Sequence, residues 1–130
     1  MLVLDTDILI EVEKKDANII KFLANLKEQH SEGISLTSPV YAEFIFGLMA
    51  LAADKKERAA ASLNAYRVLD FDKYAATIFA GIKWDLERKG SPIPIFDLLN
   101  AAIALRHGAT IVTRDCHYRS VRGLKVSMVS

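Results

Sequence analysis

Asp97-Leu98-Leu99-Asn100-Ala101-Ala102-Ile103-Ala104-Leu105-Arg106-His107-Gly108-Ala109-Thr110-Ile111-Val112-Thr113-Arg114-Asp115 reads as a helix running directly into a strand. Pro92 and Pro94 keep the segment before it in a loop, so the helix starts near Asp97 and ends at Gly108. The β-branched run Thr110–Thr113 is the strand. The same alternation extends outward in both directions. Short apolar or β-branched runs at Leu2–Leu4, Ile34–Thr37, Arg67–Leu69 and Lys125–Val129 predict strands. Between them, Ala17–His30 places Ile19, Ile20, Phe22, Leu23 and Leu26 at helical spacing, with Asp16 as a cap and Gly33 just beyond the end. Ser38 as a capping residue followed by Pro39 starts a helix predicted to run to about Ala53. Lys55–Tyr66 and Lys73–Lys89 complete the helical stretches. Strands alternating with helices indicate a parallel sheet with helices on its faces. The expected fold is a three-layer α/β domain over residues 1–130, with a central, mainly parallel sheet of four to five strands.

Composition is consistent with this. A chain of 130 residues that is 52% hydrophobic and 25% charged can bury an adequate core without disulfides or a structural metal. Cys116 is the only cysteine, which excludes a disulfide framework and points to an intracellular protein. As a nucleophile it lacks any surrounding triad signature. Asp5 follows Met1–Leu4 without a basic leader, and no apolar run approaches the ~20 residues that span a bilayer. A cytoplasmic protein with no membrane segment is expected. The net charge of +1 is unevenly spread, with Arg106, Arg114, Arg119, Arg122 and Lys125 against the single acid Asp115 after residue 100. A basic flank of this kind suits a phosphate-rich ligand, and it is equally compatible with an ordinary solvated surface.

Four acids stand in apolar surroundings. Asp5 follows Leu2–Leu4, Glu43 lies within Val40–Phe46, Asp97 sits between Phe96 and Leu98, and Asp115 follows the strand Thr110–Thr113. Buried charge requires compensation. Each Asp has a local explanation as a helix cap or turn residue, and Glu43 has one as a partner for a lysine or arginine. A parallel α/β sheet offers another. Ligands bind beyond the carboxyl ends of its strands, where Asp5 and Asp115 stand and where the helices carrying Glu43 and Asp97 begin. Carboxylates gathered there repel one another unless protons or cations intervene. Hard divalent cations, Mg²⁺ or Mn²⁺, suit such oxygen donors and support phosphodiester cleavage. One cysteine and three scattered histidines supply no usual zinc ligand set.

The chain also resembles a known family over essentially its whole length. Val3-Leu4-Asp5-Thr6-Asp7 is similar to the opening acidic motif of PIN domains, and Ser38-Pro39-Val40-Tyr41-Ala42-Glu43 to their second. Pro92–Leu105, containing Asp97, resembles the third, Gly108–Asp115 the fourth, and Val121–Val126 the closing segment. Within the family the resemblance is to VapC-type toxins of prokaryotic toxin–antitoxin pairs. It implies a PIN-like fold and a Mg²⁺- or Mn²⁺-dependent endoribonuclease whose catalytic and metal-binding acids are Asp5, Glu43, Asp97 and Asp115. It also implies a homodimer and a cognate antitoxin. Asp7, Thr113 and His117 are accessory candidates, and Arg114, Arg119 and Arg122 are candidates for holding the RNA backbone. Asp7 stands where the family commonly has Asn or Ser, Asn100 where it is usually apolar, and His117 where many members carry a further Asp.

Three other functions fit parts of the pattern. Asp5-Thr6-Asp7 after a strand also matches the nucleophile motif of haloacid-dehalogenase phosphatases, which need a catalytic lysine and a later acid pair that this chain does not supply. A receiver-type signalling domain would want a lysine at a late strand end, where Val129-Ser130 stands. A non-cleaving PIN-type RNA-binding module would be favoured by loss of one of the four acids, and all four are present.

Overall fold

A computed structural model describes residues 1–130. Five strands, β1 (Leu2–Leu4), β2 (Ile34–Thr37), β3 (Arg67–Leu69), β4 (Thr110–Thr113) and β5 (Lys125–Met128), form one sheet in the order β3-β2-β1-β4-β5. Every pairing is parallel. Six helices surround the sheet: α1 (Thr6–Glu13), α2 (Ala17–Lys27), α3 (Ser38–Gly47), α4 (Ala53–Ser62), α5 (Lys73–Arg88) and α6 (Ile95–His107). Alternation along the strands makes two cores. Leu2, Leu4, Leu36 and Val112 point to one face and pack with residues of α1, α2 and α3, whereas Val3 and Ile111 point to the other and pack with α5 and α6. The expected three-layer α/β architecture is therefore the observed one.

Local signals account for most boundaries. Asp16 caps α2, its Oδ1 accepting from Ile19 N–H at 3.1 Å, and Gly108 ends α6 in the left-handed conformation, φ 62°.

Three expectations are corrected. The helix at Ser38 is capped by Thr37, whose Oγ1 accepts from Val40 N–H, so Ser38 and Pro39 fall inside the first turn. That helix ends at Gly47, not near Ala53. Glycine propagates a helix about 1 kcal/mol less well than alanine, and the tighter bonds Leu48 N–H to Ile45 C=O and Met49 N–H to Phe46 C=O close the last turn while burying Leu48. Residues 6–13, assigned to no element above, form α1. Ile8, Ile10 and Val12 alternate with other residues as a strand would, but a helix lets adjacent Ile8 and Leu9 both enter the core.

The order of the strands sets the position of the site. The chain leaves β1 for β2 on one side, while β4 lies on the other, so the edge between β1 and β4 is a topological switch point. Asp5 is held there, its N–H donating to Val112 C=O at 3.0 Å.

Candidate active site

Asp5, Asp97 and Asp115 meet beyond the carboxyl ends of β1 and β4, with Glu43 beside them across Thr6. Asp5 caps α1 through Oδ1, which accepts from Thr6 N–H at 3.0 Å. Its Oδ2 accepts from Thr113 Oγ1 at 2.7 Å, and the same Thr113 oxygen accepts from Asp115 N–H at 2.9 Å. Asp115 caps a short 3-10 turn, Cys116–Ser120, through His117 N–H. The His117 ring turns back so that Nδ1 lies 3.3 Å from Asp97 Oδ2 and 3.1 Å from Asp115 Oδ2. Tyr118 OH lies 3.4 Å from Asp5 Oδ1 and 3.4 Å from Asp97 Oδ1. A closed loop of polar contacts thus joins Asp5, Thr113, Asp115, His117, Asp97 and Tyr118. Glu43 joins through Thr6, whose Oγ1 donates to its Oε1 at 2.8 Å.

The local explanations of the acids hold for two of them. Asp5 and Asp115 are caps, and both still face the shared crevice. Asp97 caps nothing: it lies in the first turn of α6, where the N-terminal helix dipole favours a negative charge. Glu43 has no lysine or arginine partner, only the Thr6 hydroxyl. Asp7 is exposed and near enough for its charge to help raise the Asp5 pKa. Cys116 is free and exposed.

Arg114 behaves differently from Arg119 and Arg122. Its guanidinium donates to both Glu11 carboxylate oxygens, at 3.0 and 3.1 Å, and to Ser130 C=O at 2.8 Å. Arg119 and Arg122 are exposed.

Tyr118 is the residue that sequence reasoning missed. Its side chain is fully buried, and its hydroxyl accepts from Asn100 Nδ2 at 3.2 Å, while Thr37 Oγ1 donates to Asn100 Oδ1. Asn100, the one polar residue in the apolar stretch Leu98–Leu105, was the available signal. Its partners, on β2 and in the 3-10 turn, are adjacent only after folding.

Charge is under-compensated here. Burial first, then the neighbouring Asp5 and Asp115 carboxylates, push the Asp97 pKa up to about 6. Burial also raises Asp5, and the hydrogen bond to Asp97 leads the rise at His117. Groups whose pKa rises on folding stabilise the fold fully below their unfolded values, and that stabilisation is lost as pH rises through the folded ones. For Asp97 the window is roughly pH 4 to 6. Melts of EDTA-treated protein should show this component of stability declining across that window, and Asp97→Asn should flatten it. Identical pH profiles for the two proteins would contradict the electrostatic account.

The residues fit a divalent cation. Asp97, Asp115 and His117 each offer a ligand atom within 4.8 Å of the others, and a cation would relieve both the burial of the Asp97 charge and its repulsion by Asp5 and Asp115. No helix is long and apolar enough to cross a membrane.

Comparison with known proteins places the chain in a family. The family model described as PIN domain matches residues 2–124. The VapC ribonuclease Y4jK of Sinorhizobium fredii is 31% identical, over 97% of this chain and 95% of its own. Toxin FitB of Neisseria gonorrhoeae is 31% identical over 88% of each. Among solved structures, VapBC2 from Rickettsia felis bound to a DNA fragment from their promoter superposes with a TM-score of 0.85 at 22% identity, covering 99% of this chain and 98% of that one. FitAB bound to an IR36 DNA fragment superposes at 0.79 with 27% identity, covering 98% and 94%.

Proposed function

Because the chain belongs to the PIN domain family and is related to VapC-type toxins, we propose that it is a Mg²⁺- or Mn²⁺-dependent endoribonuclease, the toxin of a toxin–antitoxin pair. The observation that carries this reading is the convergence of Asp5, Asp97 and Asp115 on one hydrogen-bonded loop, with Glu43 attached through Thr6. Asp97 and Asp115 would hold the cation, with Asp5 and Glu43 completing the acidic wall. The bound cation supplies a Lewis acid for the scissile phosphate and an activated water.

The protein's own contribution is orientation. Thr113 and Thr6 N–H fix both oxygens of Asp5, which leaves the carboxylate no freedom to rotate away from the crevice. Thr6 Oγ1 holds one Glu43 oxygen, and the other accepts no protein hydrogen bond. Arg119 and Arg122 bind the phosphate backbone. Arg114 does so only if its Glu11 pair opens. A cleft lined by Thr6, Ala42, Glu43, Phe46 and Phe96 opens beside the acids, and its exposed aromatic rings offer stacking surfaces for unpaired bases.

Partners follow from the relatives. The related VapBC and FitAB structures are complexes, and an antitoxin tail carrying a basic side chain would neutralise this acidic crevice. Phe46 and Met49, at and just beyond the end of α3, are 79% and 58% exposed, and Trp84 on α5 is 66% exposed; exposed apolar side chains of this kind suit a homodimer or antitoxin interface. Purified protein incubated with total RNA should cleave it with Mg²⁺ or Mn²⁺ and leave it intact in EDTA, with the fragment ends mapped to define the target. Light scattering at micromolar concentration should give twice the chain mass. RNA that survives both cations would overturn the nuclease reading, and a monomer mass would remove the dimer.

A further inference from the structure

His117 stands among the acids with a different donor atom. Both carboxylate contacts of its ring run through Nδ1, which lies 3.3 Å from Asp97 Oδ2, 2.9 Å from Asp115 Oδ1 and 3.1 Å from Asp115 Oδ2. The ring is placed by local backbone geometry. His117 N–H donates to Asp115 Oδ1 at 2.9 Å, and the next residue, Tyr118, anchors the 3-10 turn in the core. The imidazole side chain is nevertheless 48% exposed, so ions and water reach it without opening the fold.

These distances suit one ion. Two ligands on opposite sides of a cation, each about 2.1 Å away, stand about 4.2 Å apart. The ligand atoms of Asp97, Asp115 and His117 lie within 4.8 Å of one another, close enough for one ion to be held by all three. A neutral imidazole carries its proton on one nitrogen and a lone pair on the other. Without an ion, an Nδ1 proton satisfies the carboxylates around it; a cation bound there would displace that proton, leaving Nε2 protonated and the Nδ1 lone pair free to ligate.

We propose that His117 Nδ1 is a direct ligand of the divalent cation beside Asp97 and Asp115, and that this nitrogen makes the site selective for Mn²⁺ and other first-row transition cations over Mg²⁺. The inference rests on the metal-site reading above and deepens it. Mg²⁺ takes oxygen donors in near-ideal octahedra and gives up water reluctantly, so a nitrogen in its inner sphere is a poor exchange. Transition cations accept imidazole readily, and their affinity for mixed nitrogen and oxygen sites rises along the row from Mn²⁺. An oxygen donor at position 117 would serve either class and would remove the discrimination.

The test uses the EDTA-stripped full chain and its His117→Asp variant, titrated separately with Mn²⁺ and Mg²⁺ by calorimetry. Electron spin echo envelope modulation of the Mn²⁺-loaded protein supplies the second readout, because only a directly bound imidazole nitrogen gives strong ¹⁴N modulation. The wild type should bind Mn²⁺ at least about tenfold more tightly than Mg²⁺ and show the nitrogen coupling. His117→Asp should lose the coupling and bring the two affinities together, while His30→Gln and His107→Gln should keep both properties. A Mn²⁺ echo without nitrogen coupling overturns the proposal, as does a Mn²⁺ to Mg²⁺ ratio unchanged in His117→Asp. If His117→Asp does not fold, the wild-type echo decides alone. RNA cleavage is scored separately. Nitrogen coupling in a protein that leaves RNA intact sinks the nuclease reading and supports this one, and cleavage without coupling does the reverse.

Discussion

Asp97→Asn should abolish RNA cleavage, by on the order of a thousandfold, and at the same time raise the melting temperature of the metal-free protein at neutral pH. The two effects share one cause. Asp97 is only 16% exposed in its side chain and faces Asp5 and Asp115, which is why its pKa rises to about 6. At pH 7 its charge is therefore held against both burial and repulsion. An amide removes that charge with little change in volume. Its oxygen still accepts from Tyr118. The loss is of a negative ligand at the reaction centre, where a divalent cation would otherwise repay the strain. Asp5→Asn should be equally inactive but less stable. Asp5 accepts from Thr6 N–H on one oxygen and Thr113 Oγ1 on the other, so an amide deprives the Thr113 hydroxyl proton of its acceptor. Cleavage assays and melts of both variants in EDTA check this. An Asp97→Asn protein that cuts RNA at the wild-type rate would remove Asp97 from the site, and one that melts lower than wild type at pH 7 would contradict the repulsion argument.

Tyr118→Ala should cost about 3–5 kcal/mol, a large part of the stability of a domain this size. The ring is among the largest fully buried side chains and packs in the α5–α6 core with Leu98, Ala101 and Ile111. Tyr118→Phe separates packing from polarity. It keeps the ring, removes the hydroxyl and leaves the buried Asn100 Nδ2 without an acceptor, which should cost about 1–3 kcal/mol. The same change removes the donor between Asp5 and Asp97, so their repulsion in metal-free protein is less screened. Urea denaturation of the two variants measures the difference. Equal losses would show that the hydroxyl, not the ring, dominates, and a Tyr118→Phe protein as stable as wild type would mean that Asn100 finds another partner.

Repeating apolar patterns make the sheet and five of its six flanking helices legible in the sequence. Leu2–Leu4, Ile34–Thr37, Arg67–Leu69 and Thr110–Thr113 are strands with the bounds their composition indicates. The helix after β1 was not legible, because Ile8, Ile10 and Val12 alternate as strand residues do and the burial of adjacent Ile8 and Leu9 depends on what packs over β1. The run after Ser38 was overextended for a related reason. Apolar composition continues through Leu51, and only the packing of Leu48 shows where the turn must close.

The site divides along the same line. Charge set in apolar sequence is a local anomaly, so Asp5, Glu43, Asp97 and Asp115 could be singled out residue by residue, and the alternation of strands and helices indicated a shared edge. What those acids touch could not be read in this way. Thr6 reaching Glu43, Thr113 reaching Asp5, Tyr118 spanning Asp5 and Asp97, and Arg114 turning to Glu11 are contacts between residues made neighbours by strand order. A sequence determines which side chains must leave water and which charges need a partner, because those are properties of the residues and their spacing. It does not display the partners, because a hydrogen bond depends on distances of a few ångströms, and those exist only once β1 lies beside β4 and α6 has packed across them.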